Sequence, residues 1–173
     1  NRAAGPHRLD AAMNLPMPYI ITPCGFDMIS CGPVARRLEK DGLWASRSLA
    51  ERKLFFQDSV RIQARTTPAE MEEIGRAVAE RLNKRTYKAM VKFLIPRKGF
   101  SSLSGEGGAL HDPQSDEAFI RALKAGLDPE IEVIEVDTDI NSREFATAVV
   151  RILKGIKRTY SRPRPLRTGR IRE

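Results

Sequence analysis

Cysteine, histidine, tryptophan and long apolar runs are all scarce in this sequence. Cys24 and Cys31 are its only cysteines. They are too few for a disulfide framework and lack the Cys-x-x-Cys spacing of zinc and redox sites, so reduced thiols beside a strand end and no metal centre are expected. No run approaches the ~18 consecutive apolar residues of a membrane-spanning helix. The opening NRAAGPHRLDAA has neither the apolar core nor the flanks of a signal peptide, so a cytoplasmic chain with no membrane contact is the expectation. Two well-understood phosphate motifs are missing as well: neither Walker A nor Gly-x-Gly-x-x-Gly after a strand occurs.

What is present is a globular composition, with 173 residues of which 41% are hydrophobic, enough for one domain with a sizeable core. The net charge of +8 invites a nucleic-acid reading, but its distribution argues against one. Residues 157–173 hold Lys157, Arg158, Arg162, Arg164, Arg167, Arg170 and Arg172 against Glu173, a net of +6 that leaves +2 for all the rest. With Pro163, Pro165 and Gly169 and little apolar content, this basic tail is expected to be extended. Without aromatics beyond Tyr160, it does not suit stacking on nucleic acid.

Periodicity supplies the elements. Residues 8–14 read as the end of a helix, with Leu9, Ala12 and Met13 on one side, stopped by Pro16 and Pro18. Residues 19–22 read as a short buried strand and 23–33 as a loop. Residues 34–42 read as a short helix and 49–55 as a further short segment, with Leu43, Trp44, Phe55 and Phe56 as packing residues. Thr67 and Glu70 form a capping box with Pro68 at the first helical position, and Met71, Ile74, Val78, Ala79 and Leu82 mark the buried face of a helix that Asn83 and Lys84 end. Met90 to Ile95 is an apolar run of strand length, stopped by Pro96. Asp112 and Pro113 begin a helix with Ala118, Phe119, Ala122, Leu123 and Leu127 on one face. Residues 131–136 read as a strand near the sheet edge, and Asn141 or Ser142 caps a last helix carrying Phe145, Val149, Ile152, Leu153 and Ile156. Strands separated by helices, without hairpin signals, imply an α/β fold with a mainly parallel sheet.

In such sheets ligands bind beyond the carboxyl ends of the strands, so three patches should share one edge. The first is the loop with Gly25 and the lone carboxylate Asp27, suited to a ribose, a metal or a proton, or merely to capping a turn. The second runs from Gly99 to Glu106 with Ser101, Ser102, Ser104 and Gly105, where small residues let backbone N–H groups cradle an anion, and His111 follows it beside the Asp112 cap. The third holds Asp139 and Asn141. Arg65, Thr66 and Thr67 stand at a helix N-terminus, where a guanidinium and a hydroxyl would meet an anion, unless Arg65 simply pairs with a carboxylate.

The succession HRLDAA, TPCGFDMISCG, RTTPAEMEEIGRAVAERLNK, IPRKGFSSLSGEGGALHDPQSDEAF and DINSREFA resembles the second lobe of the ATP-binding domain family typified by the tomato mosaic virus resistance protein, whose microbial members form an uncharacterised protein family. The resemblance covers residues 7 to about 154. It implies a Rossmann-like three-layer fold forming the later part of a larger two-lobe protein, with residues 1–156 as the lobe. It also implies ATP, with Mg2+, as a ligand. Gly25, Asp27, Arg65, Thr66, Gly99, Ser101, Gly105, Asp112, Pro113 and Asn141 match its motifs. Lys98 stands where the family usually has a glycine, Asp139 where it has a histidine, and Leu110 and His111 where it has an aromatic pair.

A lobe binding a nucleotide or phosphorylated metabolite, acting with an upstream lobe or a second chain in a homo- or hetero-oligomer, is therefore the leading expectation. One alternative is an enzyme acting on a small carboxylic acid or phosphate ester, with Asp27, Glu106, His111 or Asp139 in acid/base roles. Another is an interaction module using the basic tail.

Overall fold

The computed structural model describes residues 9–10, 14–39 and 42–160. Most of the helix end expected at 8–14, and the tail beyond residue 160, lie outside the described residues. Three strands, β1 (Tyr19–Ile21), β5 (Val91–Pro96) and β6 (Glu132–Val136), form one sheet in the order β1-β5-β6. All its pairings are parallel, with Tyr19 opposite Val91 and Lys92 opposite Glu132. The apolar run of β5 thus takes the central position, flanked on both sides, as a strand buried on two faces should.

Between β1 and β5 the chain makes a second sheet. β2 (Met28–Gly32), β3 (Leu54–Phe56) and β4 (Ile62–Arg65) pair antiparallel in the order β2-β4-β3. This corrects three expectations. Half of the loop at 23–33 is strand β2, the helix at 34–42 is reduced to a 3-10 turn over Val34–Leu38, and the segment at 49–55 divides into a 3-10 turn and β3. The strands are three to five residues long, too short to impose a clear period, and a bulge between Ser30 and Gly32 breaks the alternation of β2. Of the aromatics expected to pack, Trp44 in the short helix α1 (Leu43–Ser46) is buried and donates from Nε1 to Cys31 O at 3.1 Å, whereas Phe56 is 52% exposed.

Three longer helices complete the chain: α2 (Pro68–Asn83), α3 (Pro113–Gly126) and α4 (Arg143–Tyr160). α2 starts with the expected capping box, Thr67 accepting from the Glu70 N–H and Glu70 from the Thr67 N–H, and Asp112 caps α3 by accepting from the Ser115 N–H. Both helices lend their buried residues to one core with β1 and β5, including Met71, Leu82, Val91, Phe93, Phe119 and Leu123. They approach closely at Gly75, where a Cβ would lie 2.7 Å from Phe119 O, so the glycine is required by contact rather than by conformation. α4 is capped by Ser142, whose Oγ accepts from the Phe145 N–H at 3.0 Å. It runs to Tyr160, four residues into the segment expected to be extended; Lys157 and Arg158 sit in its last turn, where cations suit the helix dipole.

Candidate functional site

Because β1, β5 and β6 are parallel, their carboxyl ends share an edge, and the loops leaving them touch. The Ser101 hydroxyl donates to Asp27 Oδ2 at 2.5 Å, and the Ile140 N–H to Gly99 O at 3.1 Å. The loop after β5 is folded tightly on itself: Gly99 has φ +134, and a Cβ there would lie 2.8 Å from Gly105 Cα. Ser104 fastens it by accepting from the N–H groups of Phe100 and Ser101 at 3.0 and 3.1 Å. Ser101 Oγ also accepts from the Leu103 N–H, so both hydroxyls hold the loop in shape, while Ser102 is exposed. The N–H groups of Gly105, Glu106 and Gly107 have no acceptor among the described residues.

Asp27 is fully buried, with Oδ1 unpartnered. Arg65, 3% exposed at the end of β4, donates to Asp27 O at 3.0 Å and stands 4.0 Å from Asp27 Oδ2. Its other nitrogen donates to Asp112 O at 3.0 Å and to Asp116 Oδ1 at 2.5 Å. The guanidinium therefore closes on the start of α3, not α2, and the carboxylate pairing is the arrangement found. Thr66 likewise turns to Phe26 O at 3.0 Å, and Thr67 is spent on its capping box. Burial pushes the Asp116 carboxyl up, against the pull of Arg65. Burial also works against the Asp112 carboxylate, but two hydrogen bonds from Ser115, with Arg65 and Lys53, hold it below its ordinary range.

The loop and the start of α3 bound a cleft of about 520 Å³, lined among others by Lys98, Gly99, Ser104, Glu106, His111 and Asp116. Arg97 on its rim is paired with Glu117 and Glu135 at 3.0 and 3.2 Å, and Lys98 with Asp137 at 3.0 Å. His111 Nδ1 lies 3.0 Å from Ser104 O, and the His111 carbonyl accepts from Lys53 Nζ at 2.5 Å. Gly25, at φ +78, opens onto a separate cleft with Phe26 and Thr66. Asp139 and Asn141 lie beside the Gly99 loop, where Asp139 Oδ1 accepts from the Asn141 N–H at 2.8 Å. Among the described residues no three His, Cys, Asp or Glu side chains gather as metal ligands.

Sequence reasoning missed Asp116 and Lys53. Asp116 had a signal, since four residues after a cap it rides above Asp112 on the same helix face. Lys53 reaches His111 across 58 residues of chain and had none.

Helices covering a parallel sheet, with a polar cleft beyond its strand ends, define an α/β domain of Rossmann-like build. The chain belongs to the uncharacterised protein family UPF0261, whose C-terminal domain model matches residues 1–156. It is 30% identical over 151 residues to a UPF0261 protein of Clostridium tetani, covering 87% of this chain and 35% of the relative. It is 29% identical over 155 residues to UPF0261 protein RA0729 of Rhizobium meliloti, covering 86% and 35%. A plant relative, ToMV resistance protein Tm-1(GCR237) of Solanum lycopersicum, is 27% identical over 145 residues, covering 83% of this chain and 18% of its own length. The chain thus spans about 35% of the length of these bacterial relatives.

Proposed function

We propose that the chain is a ligand-binding lobe whose cleft takes the phosphate of a nucleotide or phosphorylated metabolite. The observation that carries this reading is the run of N–H groups at Gly105, Glu106 and Gly107, without internal acceptors on a loop that Ser104 and the Gly99–Gly105 contact hold rigid. Successive backbone N–H groups of this kind form an anion-binding nest, and they cost no desolvated side-chain charge. Lys98, which an anion would share with Asp137, is a cation on the lining, and the loop leads directly into the amino end of α3. The resemblance to an ATP-binding domain points the same way. Arg65 acts beneath the site, holding β4 and α3 together, rather than on the anion. Asp116 and Glu117 on the cleft are already engaged by Arg65 and Arg97, which leaves Glu106 alone among the lining carboxylates, so magnesium enters this reading only with the nucleotide's own phosphates. The open side of the cleft is closed by the remainder of a longer polypeptide or by a second chain.

The test is a thermal-shift titration with ATP, with and without magnesium, beside inorganic phosphate and a panel of small carboxylates. Ligand at about a hundred times its Kd adds ~2.7 kcal/mol, a rise of roughly 5–10 °C for a chain of this size. A saturable rise with ATP or phosphate, weakened by Lys98→Ala, supports the reading. A flat response to both overturns phosphate binding by this chain alone, and a response to a carboxylate instead moves the function to the enzyme alternative.

A further inference from the structure

We propose that His111 selects, within the phosphate ligands proposed above, those that carry a hydroxyl: phosphate esters of a sugar, free or as the ribose of a nucleotide. This rests on the phosphate reading and adds to it a recognition residue and a ligand class.

Nδ1 of the His111 ring lies 3.0 Å from Ser104 O, and a carbonyl oxygen can only accept, so Nδ1 carries the hydrogen. In the neutral ring the lone pair is then on Nε2. No partner for Nε2 is found among the described residues, and the His111 side chain lines the cleft. With Nδ1 donating to Ser104 O, Nε2 offers an acceptor that a sugar hydroxyl can use and the unprotonated oxygens of a phosphate group cannot.

The ring's position is fixed from three sides. The backbone N–H of His111 donates to Gly108 O at 3.1 Å, its backbone carbonyl takes Lys53 Nζ, and the ring Nδ1 is tied to Ser104 O. Ser104 is the residue that fastens the glycine loop, so acceptor and amide nest belong to one rigid unit. Glu106 of the nest and His111 line the same cleft, so an ester with its phosphate on the nest has its sugar in the cleft that His111 borders.

Two variants separate recognition from loop support. In His111→Asn the side-chain amide can keep the bond to Ser104 O but places nothing at the Nε2 position; in His111→Gln the amide oxygen reaches that position and can accept. Parent and variants are titrated with methyl phosphate, whose dianion has no hydroxyl and which serves as the phosphate control, with ribose 5-phosphate and with ATP, and their melting without ligand is compared first. The parent is expected to bind ribose 5-phosphate more tightly than methyl phosphate. His111→Asn should lose about five- to tenfold for the sugar ester, with methyl phosphate unchanged within about twofold, and His111→Gln should recover part of the loss. Loss with ribose 5-phosphate alone assigns the cleft to sugar phosphates, and the same loss with ATP extends it to nucleotides. An equal loss for methyl phosphate and sugar ester, or no loss for either sugar ester, overturns selection by His111 while leaving the phosphate site standing. Binding of none of the three overturns both.

Discussion

The two sheets of this molecule are held in different ways. The parallel sheet with α2 and α3 shares a core built around Phe119, which is fully buried and lies with its ring centroid 5.5, 6.0 and 5.7 Å from those of Phe26, Phe93 and Phe100. The antiparallel module has a small core of its own, Cys31, Trp44, Leu49, Ile62 and Ala64, and leaves Val34, Leu38, Leu43, Phe56 and Val60 exposed. Charges fasten it to the rest. Arg65 reaches Asp27, Asp112 and Asp116, while Arg52 and Arg47 reach Glu70 at 2.6 and 2.9 Å. Apolar burial is non-directional and sets stability, whereas a buried guanidinium with three fixed acceptors sets orientation. The cleft lies where the two regimes meet, at Asp116.

The comparison breaks first if Phe119 is not the keystone. Phe119→Ala should cost about 3–5 kcal/mol in chemical denaturation, since truncating a buried aromatic adds a cavity to the lost transfer energy. A cost below about 1 kcal/mol would mean that the core is not built around it. Arg65→Met should cost about 3 kcal/mol, because Asp27 would remain buried and Asp116 half-buried beside an apolar side chain; adding Asp116→Leu should return part of that. If the double variant is no more stable than the single, the latch is not electrostatic. Trp44→Phe removes the hydrogen bond to Cys31 O and should cost about 1 kcal/mol, read as faster amide exchange within 28–65 and unchanged protection in β5 and α3. Uniform acceleration would show one cooperative unit instead of two.

A last effect is confined to acid pH. Burial disfavours the Glu70 carboxylate, but hydrogen bonds from Arg52, the Thr67 N–H and Arg47 outweigh it and bring the group from 4.5 down to about 2. A folded-state value below the unfolded one contributes stability that is fully present above about pH 4.5 and is lost as pH falls through about 2. Glu70→Gln should flatten that part of the acid-unfolding curve, measured by circular dichroism, and an unchanged curve would remove Glu70 from the latch.

The caps of α2 and α3, the central strand and the shared edge were legible because each is written in residues close together in sequence. Thr67 with Glu70 and Asp112 with Pro113 are local grammar, and the apolar run of β5 could pack only in the interior. The antiparallel module was not legible. Its hairpin between β3 and β4 closes with Gln57 N–H on Arg61 O, without an Asn-Gly or Asp-Gly turn to announce it. Within the site, the direction of a long side chain was the hidden quantity. Arg65 could be placed near a helix start, but its partners lie 38 to 51 residues away and only the fold selects them. The serines hide the same quantity, since the sequence does not say that Ser104 and Ser101 bond to the loop and to Asp27.

The antiparallel module also has a kinetic consequence, because it is inserted inside the crossover that joins β1 to β5. Pairing Tyr19 with Val91 must close about 70 residues of chain, and a Met28–Arg65 pairing formed beforehand bypasses roughly half of them. Halving a loop lowers its closure cost by ~0.6 kcal/mol, close to a threefold gain in rate if closure is limiting. The insertion is then a shortcut as well as the carrier of Arg65, which braces the start of α3. Loosening the β2–β4 pair should slow stopped-flow refolding by about that factor, even where the parallel sheet's own contacts are untouched.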